Sequence, residues 1–255
     1  MKYLLYINAD DFGLNESVNR AIIESFQKGY ITSTTLMVNM PYADQAVQMA
    51  KDAGYWNRVG IHMNLFEGTP LNPNLLNYKQ LLGKDGTLTY WAKGKIRFYM
   101  PKQMREEFRK EIRMQIERFM EYQPTCMHFD SHGHSHTLPT IWPLCRPMLK
   151  EFGFTSARIS RDLYPMRIFS FKDTLKRILN FDMHRVVPVT SDHFASFLDF
   201  ENAVKYHKRL IGGGKSTEIM SHPIYENGVL TNLHSHTFEE FFSYCRDGEV
   251  ELLKY

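Results

Sequence analysis

The feature that most constrains this chain is an alternation. Short runs rich in apolar and β-branched residues are followed, again and again, by stretches with helical spacing. Residues 3–8, 32–39, 58–65, 126–130, 156–160, 193–197 and 217–221 read as strands. Residues 15–28, 42–52, 102–122, 140–151, 200–211 and 238–246 read as helices. The strongest of these is 102–122, with Met104, Phe108, Ile112, Ile116 and Phe119 three or four residues apart. Repeated strand–helix units demand a parallel sheet, because each return to the same sheet edge needs a crossover. Seven or eight candidate strands in a chain of 255 residues point to a single (β/α) barrel domain spanning 1–255, distorted or incompletely closed. No G-x-G-x-x-G follows the first strand, which counts against a dinucleotide-binding open sheet.

Two segments break the rhythm. Residues 66–100 carry Pro, Gly and Asn turn signals among scattered aromatics, and read as an insertion or lid. Residues 161–190 are irregular and basic, and suit a loop, a surface helix or an interface element.

Composition then excludes whole classes of partner. The chain is 43% hydrophobic with a net charge of only +3, and both signs are mixed along it. No nucleic-acid motif accompanies that weak bias. No apolar stretch approaches the roughly 18 residues of a membrane span. The N-terminal run MKYLLYINADDFG reads as a first strand, without a cleavage signal. Cys126, Cys145 and Cys245 are odd in number and widely spaced, so a reducing, cytoplasmic setting is expected.

Chemistry-bearing residues fall at one kind of place, the ends of strands. Asp10 and Asp11 follow the first, His62 and Asn64 end the third, His128 and Asp130 end the fourth, and His222 ends a late one. In a barrel these ends open on one face, which carries the active site. One carboxylate and two imidazoles make a three-ligand site for a divalent ion, and Asp11, His62 and His128 are the expected ligands. Asp10 is then free to act as a base on a water activated by the ion, and Asp130 to hold a neighbouring imidazole in its tautomer. Each residue also has a plainer reading: an Asp-Asp pair can end a strand and cap a helix, and a strand histidine can be a hydrogen-bonded core residue. Four strand ends each carrying an acid or imidazole favour the functional reading. In the run HFDSHGHSH, residues 128–136, His132 reads as a metal or substrate contact, and His134 and His136 as substrate contacts or solvated. His184, His207, His234 and His236 are assigned to the surface, and His193 to the rim. Tyr90, Trp91, Phe98 and Tyr99 either stack on a sugar or pack the insertion down.

The ordered set NADDFG, GIHMNL, HFDSHGHSH, TSDHF and SHP, spread over residues 8–223, resembles the YdjC-type carbohydrate deacetylases, which include the chitooligosaccharide deacetylases. The resemblance implies an imperfectly closed (β/α) barrel and metal-dependent removal of an acetyl group from N-acetylated sugars, N-acetylglucosamine-containing mono- or oligosaccharides. It implies Asp11, His62 and His128 as ligands, Asp10 as base, and His222 as the acid that protonates the leaving amine. It favours one magnesium ion, with zinc or manganese as alternatives, and a homodimer. Ile61 and Met63 stand where the family usually has Leu. Two other functions compete. A metal-dependent phosphoesterase would want more bridging carboxylates than the chain offers, and a non-catalytic sugar-binding protein would tolerate loss of a ligand or base.

Overall fold

The structure, a computed structural model, describes residues 2–163, 171–233, 236–246 and 248–255, with the backbone alone at 171 and 172. The surface assignment of His234 falls outside them. The strands are β1 (Lys2–Phe12), β2 (Ser33–Leu36), β3 (Val59–Met63), β4 (His128–Ser131), β5 (Ser156–Ala157), β6 (His193–Ser196), β7 (Ser216–Ser221), β8 (Pro223–Glu226), β9 (Val229–Asn232) and β10 (Glu249–Leu252). The helices are α1 (Glu16–Gln27), α2 (Ala43–Asp52), α3 (Ala92–Ile96), α4 (Lys102–Glu121), α5 (Trp142–Glu151), α6 (Phe171–Val186), α7 (Phe197–Tyr206), α8 (Lys208–Ile211) and α9 (Phe238–Tyr244).

Eight strands form one parallel sheet in the order β5-β4-β3-β2-β1-β7-β6, with β10 pairing beside the N-terminal half of β1. The sheet curls into an incompletely closed barrel, as the strand–helix alternation anticipates. Past β5 the chain touches β6 only locally: Asp162 N–H donates to Phe194 O at 3.4 Å, and Asp162 Oδ1 accepts from Phe194 N at 2.9 Å. The sheet's parallel strands are buried on both faces, so β2, β3 and β4 are buried at every residue. Helices cover the outside. α1 starts where Asn15 caps it, its side chain accepting from Val18 N. α4 buries the expected Met104, Phe108, Ile112, Ile116 and Phe119.

The insertion at 66–100 packs through Leu75, Leu81, Leu88, Ala92, Ile96 and Met100, all buried. Of its four conspicuous aromatics, Trp91, Phe98 and Tyr99 do not hold it down, being 85%, 76% and 72% exposed, while the half-exposed Tyr90 packs edge-on against His132. Within the basic segment 161–190 the described part is mainly helix α6. All three cysteines are free and buried, as expected of a chain without a disulfide framework. Among the described residues no helix is long and apolar enough to cross a membrane.

Candidate active site

Two adjacent residues on a strand point to opposite faces, so Asp10 and Asp11 should not both reach one site. Here they do, because the β1–β2 register shifts between Ala9 and Phe12. That bulge coincides with a left-handed backbone at Asp11, φ 68°. Such a conformation costs about 1 kcal/mol or more, least for Asp and Asn, and is typically found where a side chain must be aimed.

Asp11 is the meeting point. His62 Nε2, from β3, lies 3.3 Å from its Oδ1, and His132 Nδ1 lies 2.8 Å from the same oxygen. Asp11, His62 and His132 offer donor atoms that all lie within 4.8 Å of one another. The donor chemistry fits a divalent ion: one carboxylate and two imidazoles, with the far nitrogen of each imidazole already occupied. His62 Nδ1 is 2.6 Å from Asp130 Oδ1, and since a carboxylate only accepts, the hydrogen sits on Nδ1 and Nε2 faces the mouth. That is the support expected of Asp130. The β3–β4 register, with His62 directly opposite Asp130, supplies it.

The expected ligand His128 is not in this group, and its place is taken by His132. The reason is strand geometry. His128 and Asp130 do point to the same side, but two residues along a strand span about 6.6–7 Å. His128 therefore sits a layer below the mouth. It is fully buried, with Nδ1 2.9 Å from Ser156 Oγ and its ring stacked on Tyr255 at 3.8 Å between centroids. It groups instead with Asp130 and Glu218. His132 follows the strand end, where Gly133 (φ 57°) and His134 (φ 56°) turn the chain back over the site.

Asp10 is not free either. A buried arginine that the sequence reading overlooked, Arg158, grips it with two 2.7 Å hydrogen bonds, one to each carboxylate oxygen. The same guanidinium reaches Asp130 Oδ2 at 2.9 Å and Glu218 Oε1 at 2.5 Å. Three carboxylates around one planar, delocalised cation neutralise it through three hydrogen bonds and an ion pair, which is how a fully buried Arg is tolerated. Burial opposes the charged form of Asp10, but Arg158, with His62 behind it, outweighs burial and holds the carboxyl well below its usual range. Asn8 Nδ2 completes the floor, donating to Asp10, Thr35 and Asp130 at 3.0, 3.0 and 3.3 Å.

His222 extends β7 beyond Ser221, which is level with Ala9 of β1. Its Nε2 stands 4.0 Å from Asp10 Oδ2 and 3.9 Å from Asp11 Oδ2. It is more open than the rest, so it faces the space a substrate would enter.

The remaining expected residues are placed differently. Asn64 does not face the mouth. It is buried, and shapes the turn after β3: its Nδ2 donates to Glu67 O at 2.8 Å and its Oδ1 accepts from Phe66 N. His136 is neither solvated nor a substrate contact. It is buried, accepts from Ser131 Oγ at 2.5 Å, and donates from Nε2 to Arg158 O at 3.1 Å. Burial, then Arg158, push it down to about 3, so it stays neutral. His134 packs edge-on against Phe194. His193 hydrogen-bonds Asp162 at 2.7 Å.

Comparisons with known proteins place the chain in a family. Residues 4–254 match the family model described as YdjC-like protein. The chain is 33% identical to a carbohydrate deacetylase of Geobacillus stearothermophilus, over 96% of this chain and 86% of the relative. It is 29% identical to a carbohydrate deacetylase of Clostridium beijerinckii, over 98% of this chain and 90% of that one. In three dimensions it resembles a crystal structure from Enterococcus faecalis V583, described as that of a candidate cellobiose-phosphate cleavage protein. The TM-score is 0.68 at 19% identity, covering 99% of this chain and 98% of the other, a likeness that speaks to the fold alone.

Proposed function

This chain belongs to the YdjC-like family, and from that premise we propose that it is a metal-dependent carbohydrate deacetylase, removing the acetyl group from N-acetylglucosamine-containing mono- or oligosaccharides. The observation that carries the reading is the convergence of Asp11, His62 and His132 donor atoms beside an ionised Asp10 and an open His222. A divalent ion bound there would polarise the acetyl carbonyl and lower the pKa of water.

The chain's own residues do the rest. Arg158 keeps Asp10 ionised and fixes its plane, so that it can take a proton from the attacking water. Asp130 fixes the tautomer of His62. His222, across the mouth from the sheet's floor, is placed to deliver a proton to the departing nitrogen. An amine leaves badly as an anion, so that proton matters. The resemblance favours magnesium, while two imidazoles and a carboxylate suit zinc or manganese as well. A two-metal phosphoesterase gains no support, because Arg158 occupies Asp10 and Asp130, the acids that would bridge a second ion.

The direct test is acetate release from a panel of N-acetylglucosamine oligomers, with and without chelator. Release that chelator abolishes and a divalent salt restores is expected. Turnover indifferent to chelator would remove the ion from the reaction, and no release from any member would remove the substrate class.

A further inference from the structure

We propose that Glu67 is a positioning residue for the loop-borne ligand, its carboxylate holding His132 with Nδ1 turned toward the ion. The inference rests on the metal reading above and extends it to a residue that no motif marks. Glu67 Oε2 lies 2.9 Å from His132 Nε2, while His132 Nδ1 lies 2.8 Å from Asp11 Oδ1. An imidazole offers a cation one nitrogen, and the partner of the other decides which. Because a carboxylate is acceptor-only, the hydrogen shared with Glu67 belongs to Nε2, and Nδ1 is left for the ion.

The arrangement is built from the core outward. Gln115 on α4 is fully buried; it donates to Asn64 O at 2.6 Å and accepts from Asn64 N at 2.9 Å. Asn64 in turn ties down Glu67 O. The Glu67 backbone is thus anchored to the buried face of α4, although its side chain is 43% exposed. A second hold comes from further along the insertion. Tyr90 meets the His132 ring edge-on at 6.3 Å, and a Cβ on Gly133 would run into the Tyr90 ring. His132 needs such holds because it lies on a 3-10 segment interrupted by left-handed residues, not in a strand ladder.

The test measures Mn(II) binding to the full-length protein, following free Mn(II) by its electron spin resonance. Glu67→Ala should weaken binding about 10-fold, the low end of the 10–100-fold range for such supporting groups. Glu67→Gln keeps an acceptor oxygen and should lose less. Glu67→Ala added to His132→Ala should cost no further Mn(II) affinity. Unchanged Mn(II) affinity in Glu67→Ala, with or without a raised KM, would overturn the positioning role. Equal losses in the Gln and Ala variants would overturn it too, making Glu67 a ligand itself. A parent protein that binds no Mn(II), Mg(II) or Zn(II) would sink the metal reading, and this inference with it.

Discussion

The two imidazoles that meet at Asp11 Oδ1 are held in opposite ways. His62 sits in the middle of a sheet buried on both faces, 1% exposed, and its support, Asp130, is fully buried in the neighbouring strand. His132 rides a turn above the strand ends, 17% exposed, and its support, Glu67, is half in solvent. A strand position fixes the backbone through the ladder and the pleat, and a buried carboxylate one strand away then fixes the ring. A loop position has no ladder, so side chains from the insertion must supply the restraint. One half of the site therefore belongs to the sheet, and the other to the turn after β4 and the insertion that packs against it.

The largest effect should come from beneath the strand half. Arg158→Met leaves Asp10, Asp130 and Glu218 as buried charges without their partner, and should cost about 3–5 kcal/mol in urea unfolding. A loss below 1 kcal/mol would mean the network is not what holds the floor together. Asp10→Asn should fold, keep its metal, and lose about a hundred- to ten-thousand-fold in kcat. Loss of metal in that variant would make Asp10 a ligand instead of a base.

Protons offer a third probe. In the metal-free protein burial would lower His62, but Asp130 and Asp10 outweigh it and raise it to about 10. Burial likewise opposes the charge on His132, and its hydrogen bonds to Asp11 and Glu67 raise it to about 9. Both rings therefore carry a proton at neutral pH, and a bound ion must displace the two it faces. Affinity for the ion should rise with pH, by up to about two decades per unit below 9 and about one between 9 and 10. Calorimetry in buffers of different ionisation enthalpy should count the released protons. Affinity that is flat between pH 6 and 8 would show that the rings are already neutral. The smallest of these effects should be Asp130→Asn, which keeps a hydrogen-bond acceptor beside His62 and should weaken metal binding about 10–100-fold. An Asp130→Asn loss smaller than that of Glu67→Ala would invert the comparison between buried and exposed supports.

Much of the strand half was legible in the sequence. The alternation of apolar runs and helical spacing gives β1 to β7 and most helices, and strand-end polarity gives Asp10, Asp11, His62, Asp130 and His222 as residues that meet. What it could not give was depth. Spacing of two puts His128 and Asp130 on one side, but only the register with β3 shows that Asp130, level with His62, stands at the height of the site. Arg158 was missed because its partners are distant in the chain, 148 residues away at Asp10. The available signal was a charged residue among apolar ones in TSARIS, spaced by two from Ser156. Glu67 carried no signal at all, since its role depends on where a turn folds. The β8–β9 hairpin was announced by Asn227-Gly228, both left-handed in the structure, a turn pair that had gone unread. Helix α6 leaves Leu175, Ile178 and Phe181 exposed, so its pattern lacks the single apolar face that marks a helix on a core.

The central claim is that one divalent ion is shared by a carboxylate, a strand histidine and a loop histidine. It is tested most directly by measuring bound metal after equilibrium dialysis in His132→Ala and His128→Ala, side by side with the parent. The account predicts that His132→Ala loses its ion while His128→Ala, if less stable, stays loaded. Metal lost from His128→Ala and retained by His132→Ala would contradict it.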